Sequence, residues 1–196
     1  WSGPSVPRWD QQVEAWARGH FGAQADPYLE ATARLRAAAA VPALGRCFAY
    51  SYSYVRPGAP FPRPYPEEAL AALATVADAA AQLDQAAALA AAAERGFAEL
   101  SVAPAADRQL LGSLRGEAAR IAGLARTFGW LLRLYRSQEA LDPEALESWG
   151  QVRAGLLAAM AEVETGKPEY VAPACLQALS LLLAFLDQVG AELTGI

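Results

Sequence analysis

The 196-residue chain is short of the side chains that most often carry chemistry: it has one histidine, His20, and two cysteines, Cys47 and Cys175. A single histidine excludes a His-rich metal site, a relay of several histidines, and a di-iron bundle built on paired Glu-x-x-His motifs. The cysteines have no CxxC spacing and no histidine close by, so a zinc site is not expected. They read as two isolated thiols rather than as a disulfide. Neither phosphate-cradling glycine loop is present, and no nucleophile-elbow pattern accompanies His20. No cofactor and no metal are expected.

Cationic character is also scarce. Sixteen basic residues face 21 acidic ones, for a net charge of −5. Nucleic acid is therefore a poor partner, because phosphate binding needs a positive field. The acidic charge is dispersed and reads as solubility. Long apolar runs are few. The strongest, around Leu181–Leu186, is shorter than the roughly 20 residues that span a bilayer. No signal peptide is visible, and no membrane partner is expected. The chain starts at Trp1 rather than Met. We read it as one α-helical domain over residues 1–196 that belongs to a longer polypeptide.

What the chain does have is alanine and leucine at helical spacing. The hydrophobic share is 54%, yet mean hydropathy is only +0.12 because alanine adds little transfer free energy. Trp9, Val13, Trp16 and His20 fall on one face of a first helix that Gly22 stops. Asp26-Pro27 opens a second helix with a thin face of small residues, which Pro42 kinks or ends. A third starts at Pro66-Glu67-Glu68 and continues through the alanine run, with a register shift near Asp84 and an end near Gly96. Pro104 opens a fourth that extends to about Glu139. Its stripe of Leu110, Leu114, Ile121, Leu124, Phe128, Leu131 and Tyr135 lies opposite Arg108, Arg115, Arg126 and Arg133. Asp142-Pro143 starts a fifth, stopped at Gly166-Lys167-Pro168. The last begins near Pro173, and LSLLLAFL within it is apolar nearly all round, as in a central helix. The expected fold is all-α, a bundle of five or six antiparallel helices with short links.

Arg46–Pro66 stands apart. Tyr50, Tyr52, Tyr54, Phe61 and Tyr65 crowd together with Pro57, Pro60, Pro62, Pro64 and Pro66. These aromatic side chains offer apolar faces, and the tyrosines polar tips, suited to stacking on a ligand. The same residues equally suit packing between helix ends. Tyr50–Tyr54 also alternates with the period of a strand, but one strand without a partner is no sheet.

Glu117 interrupts the apolar stripe of the fourth helix. A carboxylate there needs a partner or a shifted pKa. A buried ion pair to a facing helix is one reading and a general acid is the other. The arginine stripe reads as a solvated face, with anion binding as its alternative. His20 reads as structural.

The opening WSGPSVPRWDQQVEAWARGHFG resembles the junction in multidomain glycoside hydrolases of the β-N-acetylhexosaminidase-like kind. There a TIM barrel passes into a C-terminal helical domain whose first helix closes on an aromatic-glycine pair, here Phe21-Gly22. Phe128, Trp130 and Leu131-Leu132 in the middle of a long helix are similar in character. The resemblance implies a non-catalytic accessory domain that packs on a catalytic barrel outside this sequence, with the catalytic acids in the barrel and none here. Two other readings are a stand-alone helical protein-interaction module and a helical enzyme using Glu117.

Overall fold

A computed structural model describes residues 9–52, 65–101, 105–136, 143–167 and 172–194. It is all-helical among these residues, with no strand. The helices are α1 (Trp9–Phe21), α2 (Ala25–Ala39), α3 (Pro42–Tyr52), α4 (Tyr65–Ala74), α5 (Ala79–Ala98), α6 (Ala105–Arg136), α7 (Pro143–Gly166) and α8 (Ala172–Thr194), with one 3-10 turn over Gly22–Gln24.

The ends follow local chemistry. Gly22 ends α1 at φ +55°, a left-handed conformation that glycine adopts without steric cost. Ala39 ends α2, and Pro42 takes the first position of α3, where it needs no amide proton. Two glutamines tie helix ends together. Gln24 donates to the Ser101 carbonyl at 3.0 Å and accepts from the Ser101 amide at 2.8 Å, joining the start of α2 to the end of α5. Gln82 accepts from the Ala43 amide at 3.1 Å, supplying a partner to the first turn of α3.

Two boundaries differ from expectation, and both add helices to the five or six foreseen. The aromatic connection does not begin at Arg46, because α3 continues through Tyr52. Leu44 and Cys47 are buried on the face that holds it in place, which outweighs the alternating tyrosine pattern. The long third helix is two helices, α4 and α5, broken at Thr75–Asp78 and not near Asp84. The Thr75 hydroxyl donates to the Ala72 carbonyl at 2.7 Å, and Asp78 sits at φ +51°. Both features favour leaving the helix.

The core is centred on α6, which packs most extensively on α5 and then on α7. Between residues 118 and 132 every residue of α6 except Arg126 is buried. The expected wet side is thus reduced to Arg126 and the two ends of the helix. The last helix is not the central one. α8 buries Leu179, Leu182, Leu186 and Leu193 along one face, lies mainly against α7 and touches α6 little. Glycine and alanine explain the exchange. Adding a Cβ to Gly123 would put it 2.8 Å from the Ala159 Cβ, and one on Gly116 would lie 3.1 Å from the Glu162 carbonyl oxygen. Small residues let α7 approach α6 closely, and close approach buries more of α6 than its hydropathy suggests.

Candidate functional site

The predicted aromatic site is spread over two helices and residues outside the described ones. Tyr50 and Tyr52 belong to the last turn of α3 and Tyr65 opens α4, while Tyr54 and Phe61 lie outside the described residues. The helices that flank residues 53–64, α3 and α4, pack against each other.

Glu117 has the ion pair that its position demands. It receives the Arg120 guanidinium at 2.5 and 3.1 Å and the Lys167 ammonium at 2.9 Å. Burial alone would raise this carboxyl, but the Arg120 and then the Lys167 contacts outweigh it and hold the carboxyl below its ordinary range. An acid held ionised by two cations is a poor proton donor near neutral pH. The group is a clasp between α6 and the end of α7. Its partner one turn along, Arg120, was within reach of a spacing argument; Lys167 lay beyond one.

His20 has a partner that no sequence pattern indicated. Its Nε2 lies 2.6 Å from Oδ1 of Asp107, and the Asp107 side chain is only 7% exposed. Trp16 stacks on the His20 ring with centroids 4.8 Å apart, and Phe21, Tyr28 and Phe97 continue the aromatic cluster. This pair fastens α1 to the first turn of α6. The buried carboxylate is satisfied, as burial requires. Trp16 is 44% exposed, the most exposed large apolar side chain among the described residues.

Two members of the arginine stripe are cross-helix ties. Arg115 donates to Glu162 of α7 at 2.8 Å, and Arg133 pairs with Asp84 of α5. Arg108 and Arg126 are exposed. The cysteines are unpaired, and burial pushes the Cys47 thiol up to about 12, which leaves it inert. No group of three or more metal-ligating side chains occurs among the described residues.

The edge formed by α8 is the largest departure from a closed core. The Leu181–Leu186 run is not short in its helical setting. The stretch Cys175–Leu193 is long and apolar enough, by length and composition, to cross a bilayer, and only 28% of it is buried. Polar contacts from α7 help hold it. The Trp149 indole donates to the Leu186 carbonyl at 2.9 Å, and Arg153 pairs with Asp187 at 2.7 Å. Gly190 lies under the Trp149 ring, where an added Cβ would meet ring carbons at 2.5 Å. Leu176, Leu181, Leu183, Phe185 and Val189 are left half-buried on the flanks, and Leu157 of α7 is 39% exposed.

What this arrangement can do is bind by surface burial. Most of its buried or half-buried carboxylates are engaged in ion pairs, and half-buried apolar side chains run along the edge helix α8. No protein-family model, curated protein or solved structure matches the chain.

Proposed function

We propose that the chain is a non-catalytic helical domain, a bundle of antiparallel neighbours, that docks on another folded domain through α8. The observation that supports this reading is the low burial of an apolar 19-residue stretch in an otherwise close-packed helical fold. An apolar surface of this kind stabilises a complex when it is covered, at roughly 25 cal/mol per Å² removed from water. The resemblance at Trp1–Gly22 nominates the occupant: the catalytic barrel of a carbohydrate-active hydrolase in the same polypeptide. On this reading the domain supplies packing surface and the barrel supplies the catalytic acids.

The test is amide hydrogen exchange over residues 172–194. It is measured on the chain alone and on the polypeptide as its host makes it. Docking predicts exchange slower by about tenfold or more in the larger protein, corresponding to added local stability of about 1.4 kcal/mol. Equal exchange in the two samples would sink the proposal. Protection that depends on a separate, unlinked protein would replace the linked barrel with a stand-alone interaction module.

A further inference from the structure

A second feature lies on a different side of α7. Helices α5, α6 and α7 enclose a cleft of about 350 Å³, within the size range of small-ligand sites. Its floor is Ala119, Ala122 and Gly123 of α6, and its far wall includes Ala158 of α7. Glu94 of α5, Glu162 of α7 and Arg126 of α6 line it as well. The floor offers methyl groups and backbone, and polar side chains stand only at the sides.

Two of those side chains are unmatched. Among the described buried or half-buried carboxylates, pairing is the rule: Asp107, Glu117, Glu162 and Asp187 each have an ion-pair partner. Glu94 is the exception, half-buried and with no hydrogen bond or ion pair among the described residues. Burial first, and then the Glu162 carboxylate, push its carboxyl up, while Arg115, Arg126 and Arg95 pull the other way. Arg126 likewise has no ion pair among the described residues, although it is exposed and lines the same cleft. Glu162 is engaged by Arg115, which leaves Glu94 and Arg126 as the available pair of opposite charges.

We propose that this cleft binds a small zwitterion. Its ammonium sits at Glu94, its carboxylate at Arg126, and its aliphatic middle lies on the floor of Ala119, Ala122 and Gly123. The two protein charges are not paired to each other within 4.0 Å, which leaves each open to a ligand group of opposite charge. The alanine and glycine floor offers an apolar surface to methylene groups.

The test titrates the chain with 5-aminopentanoate, pentylamine and pentanoate, followed by amide chemical shifts. Saturable shifts are expected at Glu94, Ala122 and Gly123. The amino acid should bind about fivefold more tightly than either half-molecule, the contribution of one partly screened ion pair. Glu94→Gln and Arg126→Gln should each lose about fivefold. Ala158→Leu, at an exposed wall position, should block binding with both charges intact. The proposal is overturned by the absence of saturable shifts at about 10 mM, ten times a millimolar Kd. It is also overturned if pentylamine matches the amino acid, or if Glu94→Gln binds as wild type does. Amide spectra of the variants show directly whether the fold is retained.

Discussion

Helices α6 and α8 are both long and both carry leucine, yet they are held in different ways. α6 is enclosed over residues 118–132, with Phe128 and Leu132 fully buried and charged clasps at its ends. α8 buries one face and rests on α7. The difference shows that enclosure follows how closely neighbours can approach. Gly116 and Gly123 let α7 come near α6, whereas α8 meets α7 with the Trp149 ring set over Gly190.

The largest break in this comparison comes from cavities. Phe128→Ala should cost about 3–5 kcal/mol in urea unfolding. Leu183→Ala, half-buried on α8, should cost about 1 kcal/mol, because water already reaches part of the site. Equal losses would mean that α8 is as central as α6.

Glycine sharpens the contrast at the α6–α7 crossing. A Cβ on Gly166 would collide with the backbone carbonyl of Gly112, which cannot rotate away. A Cβ on Gly112 meets nothing closer than 3.5 Å. Gly166→Ala should therefore cost up to about 3 kcal/mol. Gly112→Ala should be neutral or stabilise by about 1 kcal/mol through helix propensity. Thermal unfolding of the two variants checks the asymmetry.

Glu117→Gln tests the clasp. Removing the charge should cost about 1–2 kcal/mol at neutral pH, because Arg120 is left buried with a weaker acceptor. The sign of the pH dependence follows from the lowered carboxyl. The folded state binds this proton less readily than the unfolded chain does. The stabilisation is therefore complete above the ordinary glutamate range and is lost as pH falls through the folded value below it. The wild type should lose stability over that acid range more steeply than the variant.

Much of this fold was legible in the sequence, and the exceptions share a cause. Gly22, Pro42, Pro143 and Gly166 mark helix ends because each restricts or frees the backbone locally. Glu117 was conspicuous because a carboxylate broke an apolar stripe. The central place of α6 was hidden, since hydropathy gives no weight to the close approach that glycine permits. The His20–Asp107 contact joins residues 87 apart in the chain, and periodicity carries no information about which faces meet. The Glu94 cleft was hidden for the same reason, being formed by three helices whose pairing the pattern leaves open.

The smallest expected effect separates Glu94 from Glu117. Both are glutamates on long helices, but one is clasped by two cations and the other is unmatched. Burial and Glu162 raise the Glu94 carboxyl, so the folded state binds its proton more readily than the unfolded chain does. Its ionisation therefore destabilises the fold above the ordinary glutamate range, and the penalty fades as pH falls. Glu94→Gln keeps the shape and removes the charge. It should stabilise the chain by about 0.5 kcal/mol or less at neutral pH, since water screens much of the penalty. Below the ordinary glutamate range the gain should vanish. Urea unfolding across pH for Glu94→Gln and Glu117→Gln should thus give changes of opposite sign at neutral pH. A loss of stability in Glu94→Gln would mean that Glu94 is matched by a group in solution, and the opposition between the two glutamates would disappear.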